Sequence, residues 1–67
     1  MRDPKRIRKV CNKLASAWET TPDLRFGQLV TNVMLEIQKD ERIPFYVEDE
    51  EMISNIEEYC QNIGYIR

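Results

Sequence analysis

The densest group of side chains able to do chemistry is the acidic segment EDEE at residues 48–51. Clustered carboxylates bind divalent cations and can act as general acids or bases. The spacing, however, lacks the alternating Asp pattern, the central Gly and the closing Glu of a calcium loop. Acids at the start of a helix are stabilised by the helix dipole, by about 0.3–1 kcal/mol each. We therefore interpret the cluster as a helix N-terminus, with a weak divalent-ion site as the alternative.

Other residue types that commonly carry catalysis are scarce in this sequence. There is no His, which removes the usual general base near neutral pH and the commonest zinc ligand. Cys11 and Cys60 are far apart and do not form a zinc signature; each falls on an apolar stripe, which predicts buried, reduced thiols. The only glycines, Gly27 and Gly64, do not form a phosphate-binding loop. We therefore expect no enzyme activity, no cofactor and no metal centre.

Charge is divided unevenly along the chain. The first thirteen residues carry net charge +5, whereas residues 36–58 carry −7. Five cations lie opposite the apolar stripe of the first predicted helix, where they could bind phosphates. A sequence pI near 5.0 and the lack of interleaved aromatic residues favour pairing with acids of the last helix instead. An acidic protein partner is the third interpretation of this basic face. Its cations are Arg2, Lys5, Arg6, Lys9 and Lys13.

Three amphipathic runs predict helices at about 4–19, 24–38 and 49–63. Each is too short to be stable alone, so the three must bury their apolar stripes against one another. We predict a single all-α domain over residues 1–67, a three-helix bundle-like fold with a longer loop or short extended segment between helices 2 and 3. The predicted stripes are Ile7, Val10, Cys11, Leu14, Ala15 and Trp18; Phe26, Leu29, Val30, Val33, Met34 and Ile37; and Met52, Ile53, Ile56, Tyr59, Cys60 and Ile63.

Local signals predict where these helices begin and end. Asp3 followed by Pro4 is typical of a helix start, with the carboxylate as N-cap. Thr21 or Asp23 is predicted to cap the second helix. Gly64 is predicted to end the third helix in the left-handed conformation.

The segment WETTPDLRFGQLV joins the first two helices and suggests either a docking motif or a structural corner. Trp18 continues the apolar stripe of helix 1, which predicts that its ring fills the core. Gly27 lies inside helix 2, where we expect it to admit that ring. The corner is the favoured interpretation, and a docking surface formed by Arg25, Gln28 and Asn32 is the alternative.

Part of the chain resembles a known family. KRI at 5–7, Trp18, PDL at 22–24 and Gln28 match in type and spacing the YihD-like small bacterial proteins. The match covers about the first thirty residues. The resemblance implies a helical fold and a bacterial or phage origin. That family is itself of unknown function, so the resemblance implies no activity.

Two kinds of function remain after these considerations. We expect a cytoplasmic location, because no apolar run is long enough to span a bilayer and the N-terminus lacks the apolar region of a signal peptide. We expect a non-enzymatic module that binds another protein or itself, because the charge is polarised along the chain, the core is small and several apolar residues lie outside the stripes. The alternatives are a nucleic-acid-associated regulator using the basic face, or a phage-type inhibitor presenting its acidic third helix to a basic host protein. The apolar residues outside the stripes, which either cover the bundle or form an interface, are Ile43, Phe45, Tyr46, Tyr65 and Ile66. The predicted partner-binding residues are Arg6, Lys9, Lys13, Arg25, Gln28, Phe45, Tyr46, Glu50 and Glu51.

Overall fold

The chain folds into three α-helices joined by a tight corner and a longer loop. The computed structural model describes the backbone of residues 2–66 and the side chains of residues 2–64. Within this part there is no strand, and the loop between the second and third helices contains one 3₁₀ turn. The predicted all-α, three-helix fold is confirmed. The elements are α1 (Lys5–Trp18), α2 (Phe26–Lys39), the 3₁₀ turn (Pro44–Tyr46) and α3 (Asp49–Ile66).

Helix α3 is the element against which the other two helices pack. Both α1 and α2 lie along α3, and the 3₁₀ turn packs on α2. In the described part, α1 and α2 meet at their corner, where the rings of Trp18 and Phe26 are 5.4 Å apart. The principal extents are 41 × 27 × 17 Å, and the radius of gyration is 12.2 Å. A 67-residue domain is expected to have a radius of about 11 Å, so the molecule is flat and elongated.

The hydrophobic core is small and centred on α2. Leu29, Val33 and Ile37 follow one another at four-residue spacing and are 0–2% exposed. This spacing places the three side chains on one ridge of the helix, as the apolar periodicity predicts. The remaining buried apolar residues are Ala17, Ile53 and Cys60. So thin a core makes each of its members important for stability.

The apolar stripe predicted for α1 is turned partly into solvent. Ile7 is 51% exposed and Cys11 is exposed, whereas Ala17 and Thr21 are buried. The prediction of a buried Cys11 was therefore wrong, and that of a buried Cys60 is confirmed; neither thiol forms a disulfide. Periodicity identifies the apolar sector of a helix, but the neighbouring helix decides which edge of that sector is covered.

The predicted start of α1 is confirmed, but α3 extends past its predicted end. The carboxylate of Asp3 accepts a hydrogen bond from the backbone N–H of Lys5 at 2.9 Å. Helix α3 continues through Gly64, and no glycine of the described residues has a positive φ. The prediction of a left-handed helix end at Gly64 was therefore wrong. A Cβ at this position would lie 3.9 Å from Cγ2 of Thr21, so the residue faces the corner.

The corner between α1 and α2 is held by the tryptophan side chain. Nε1 of Trp18 donates a hydrogen bond to the carbonyl oxygen of Leu24 at 2.7 Å. The backbone N–H of Leu24 donates to the carbonyl of Thr21 at 3.1 Å, which closes the turn. Thr21 is fully buried beneath it. The structure thus supports the corner interpretation of this segment.

Helix α2 begins later than predicted and is capped differently. Arg25 occupies the N-cap position in an extended conformation. Its backbone N–H donates to Oε1 of Gln28 at 2.9 Å, which is half of a capping box. The assignment of the cap to Thr21 or Asp23 was therefore wrong, because the turn carries the chain two residues farther before the helix starts.

Gly27 lies in the first turn of α2, and the prediction that it admits the Trp18 ring was wrong. A Cβ at this position would meet nothing within 4 Å. We expect Gly27→Ala to raise the free energy of unfolding by about 0.5–1 kcal/mol, because alanine favours the helix and restricts the unfolded chain. Urea denaturation followed by circular dichroism measures this gain. Gly64→Ala is the comparison: its Cβ would lie at an ordinary van der Waals distance from Thr21, so this change should not cost stability either. A loss of stability at position 27 would contradict the expectation.

Candidate interaction surfaces

The nine residues predicted to bind a partner are all exposed, but they do not form one surface. The structure places eight of them in three regions: a charged cleft between α1 and α3, the start of α2, and the loop before α3. The ninth, Glu51, lies in the first turn of α3 and pairs with Arg42. Each region is built by different elements, so each has to be considered separately.

The charged cleft lies between the N-terminal halves of α1 and α3 and has a volume of about 420 Å³. Its cations come from residues 2–13 and its acids from residues 48–50, while Val10 and Ile53 add apolar lining. The cleft brings together four of the nine predicted residues. They are Arg6, Lys9, Lys13 and Glu50.

Two ion pairs in this cleft join segments that are distant in the sequence. Nη1 of Arg6 lies 2.6 Å from Oδ2 of Asp49, and Nη2 of Arg2 lies 3.1 Å from Oε2 of Glu48. All four side chains are 36–69% exposed, so each pair contributes about 0–1 kcal/mol to stability. The interpretation that the basic face pairs with acids at the last helix is confirmed for these two arginines.

The acidic cluster lies in the first turn of α3, as the helix-dipole argument predicts. Glu51 forms an ion pair with Arg42, and Asp49 pairs with Arg6. Within residues 2–64, no group of three metal-ligating side chains is brought together. Through these two ion pairs the cluster joins the start of α3 to α1 and to the preceding loop.

The predicted surface of Arg25, Gln28 and Asn32 at the start of α2 is largely occupied by structural contacts. Gln28 accepts the capping hydrogen bond of Arg25, as described above. Nδ2 of Asn32 donates to the hydroxyl of Tyr59 at 2.6 Å, which joins α2 to α3. Sequence periodicity gives no signal for this cross-helix pair, because its members are 27 residues apart. Arg25 is the one residue of the three whose side chain remains exposed without such a contact in the described part.

The loop before α3 carries a third region, the loop patch, formed by Ile43, Phe45 and Tyr46. These side chains are 60%, 86% and 73% exposed, so they do not cover the bundle. The two rings lie edge to face with centroids 5.1 Å apart. Val47, directly after them, packs against the core and anchors the turn. The side chains of Tyr65 and Ile66, the other apolar residues outside the predicted stripes, lie outside the described residues.

Sequence reasoning missed a fourth region, the α1 row, formed by Ile7, Cys11 and Ala15. All three residues were predicted to be buried, and all three are exposed. On α2, Phe26 and Met34 are likewise 51% and 42% exposed, against prediction. The number of apolar positions could have revealed this, because three short helices in a flat domain cannot bury six apolar positions each.

No helix in the part of the chain that the structure describes is both long and apolar enough to span a bilayer. A scan of protein-family models, a search of curated proteins and a search of solved structures each find no match to this chain. The resemblance to YihD-like proteins therefore stays a prediction that rests on residues 5–28.

Proposed function

We propose that this chain is a non-enzymatic protein-interaction module that contacts its partner through the loop patch. The observation that supports this proposal most strongly is the exposure of Phe45 and Tyr46 side by side on an anchored turn. Aromatic residues are enriched in protein interfaces and dominate their energetics. Because the turn is held by Val47, ordering it on binding costs little conformational entropy.

The total accessible surface also supports a bound partner. The chain exposes 5617 Å², whereas a folded monomer of 8.0 kDa is expected to expose about 4450 Å². A standard interface covers about 800 Å² on each partner. The excess is therefore large enough to be accounted for by one such interface.

The charges beside the loop patch indicate what kind of partner it fits. Asp40 and Glu41 precede the patch and form no ion pair with another described residue, whereas the nearer Arg42 pairs with Glu51, and Glu48, which follows the patch, pairs with Arg2. An apolar surface flanked by acids is complementary to an apolar pocket edged by Lys and Arg. We expect a basic protein partner, in line with the inhibitor-like alternative from the sequence.

The nucleic-acid alternative has less support. Two arginines of the basic face, Arg2 and Arg6, are engaged by Glu48 and Asp49. Phosphate binding would have to compete with these acids, and the carboxylates would repel the phosphates. None of the described residues that line the cleft is aromatic.

Site-specific photocrosslinking tests the proposed function. A benzoylphenylalanine at position 45, in the full chain produced in bacterial cells, should give a discrete crosslinked protein band, identified by mass spectrometry. The same group at Glu57, an exposed position on α3, is the control and should give none. Absence of a product at position 45, or equal products at both positions, would contradict the proposal.

A further inference from the structure

The α1 row is an apolar surface that the loop patch does not include. Ile7, Cys11 and Ala15 recur at four-residue spacing and therefore form one ridge of the helix. Helix α1 meets α3 with a different side, on which Arg6 pairs with Asp49. The α1 row consequently lies off the side that α3 covers, and it is exposed along its length.

At its C-terminal end the α1 row borders a shallow depression of about 260 Å³. Ala15, Trp18, Glu19 and Pro22 line it, and its apolar lining is suited to a branched aliphatic side chain. The indole of Trp18 is held in place by its hydrogen bond to Leu24, so the depression is preformed.

Two residues of opposite charge, Arg8 and Glu19, flank the α1 row on the same side of the helix. Arg8 and Glu19 are both exposed, and neither forms an ion pair with any other described residue. They are eleven positions apart, which is about three helical turns, so both lie on the same side of α1. A single helix therefore presents an unpaired cation and an unpaired anion at opposite ends of an apolar ridge.

We propose that a second copy of this chain docks antiparallel along the α1 row. In a two-fold symmetric pair, Arg8 of each copy lies beside the partner's Glu19, so the two ion pairs form together. The same register places Ile7 of each copy at the partner's depression beside Glu19 and Pro22. The small residues Cys11 and Ala15 lie near the centre, where they let the helices approach closely. A single register thus pairs Arg8 with Glu19 in both directions and fills each depression with the partner's Ile7.

The α1 row is distinct from the loop patch. The dimer and the proposed function can therefore fail independently of each other.

Sedimentation equilibrium of the full chain tests the dimer and its register. Arg8→Glu and Glu19→Arg should each weaken the dimer at least about tenfold, because each creates two like-charge contacts per dimer. The double exchange should restore the wild-type affinity. Lys13→Glu, the same type of charge change on the cleft side of α1, should leave it unchanged. Circular dichroism establishes that each variant is folded.

Thiol crosslinking provides a second measurement. In this register the two Cys11 residues are offset by about 7.5 Å along the axes of helices that are about 8–10 Å apart. That separation exceeds the roughly 7 Å limit between Cα atoms for a disulfide but is spanned by a short bismaleimide. A covalent dimer should form, and Cys11→Ser should abolish it because Cys60 is buried.

Three results would overturn the proposal. The first is a monomer at high micromolar concentration in sedimentation. The second is a dimer that both charge reversals weaken but the double exchange does not restore, since the register would then be wrong. The third is a dimer that persists in both reversals and is lost in Phe45→Ser, which would place the second copy on the loop patch.

Discussion

Replacing Leu29 with alanine is expected to lower the free energy of unfolding by about 2–5 kcal/mol. Leu29 is fully buried at the centre of the only core cluster of the described residues. The change therefore leaves a cavity that the surrounding short helices cannot close. The total free energy of unfolding of a 67-residue chain is about 3–10 kcal/mol. The variant should therefore be largely or wholly unfolded near body temperature, as measured by thermal and urea denaturation.

Leu35 provides the matched control on the same helix. It is 50% exposed, so Leu35→Ala removes the same atoms without opening an internal cavity. We expect that change to cost less than about 1 kcal/mol. Equal losses at the two positions would mean that the core is not where the structure places it.

Replacing Trp18 with phenylalanine is expected to cost about 1–3 kcal/mol, because the carbonyl of Leu24 loses its partner in a half-buried site. The indole also packs on Phe26, and a smaller ring leaves that contact incomplete. Urea denaturation followed by circular dichroism measures the loss. The same experiment on wild type can be read from fluorescence, since Trp18 is the only tryptophan.

Tyr46→Phe is the control for this second change. It also removes one polar atom from an aromatic side chain, but at a position that is 73% exposed. We expect its effect to stay within about 0.5 kcal/mol. If Trp18→Phe is no more costly than Tyr46→Phe, the hydrogen bond to Leu24 does not hold the corner together.

Much of this fold follows from local patterns in the sequence. The recurrence of apolar residues at helical spacing predicts all three helices, and the capping carboxylate of Asp3 predicts the first start. Leu29, Val33 and Ile37 lie in the middle of their stripe and are buried as predicted. These features depend on residues within one or two turns of each other, which is the range over which periodicity is informative.

The errors concern contacts between distant parts of the chain. Whether Ile7 is buried depends on which side of α1 meets α3, and no spacing within α1 contains that information. Thr21 is polar and lies at a corner, yet it is fully buried, with Gly64 of α3 beside it. The prediction of a left-handed helix end at Gly64 was wrong, because α3 continues past this residue.

The candidate surfaces were predictable to a similar extent. Phe45 and Tyr46 were identified because they fall outside every helical stripe, and the structure exposes both. The α1 row was hidden inside a stripe that periodicity assigned to the core. Arg6 was recognised as part of a basic face, but its pairing with Asp49, 43 residues away, required the tertiary arrangement.

The central position of α3 has a consequence for how the chain is made. Because α1 and α2 both pack on a helix that is translated after them, neither has its packing partner while it emerges from the ribosome. Closing α1 onto α3 means bridging more than forty residues, which slows folding relative to hairpins of adjacent helices. Nascent chains should therefore remain open, with the apolar faces of α1 and α2 accessible to chaperones, until the third helix has been synthesised.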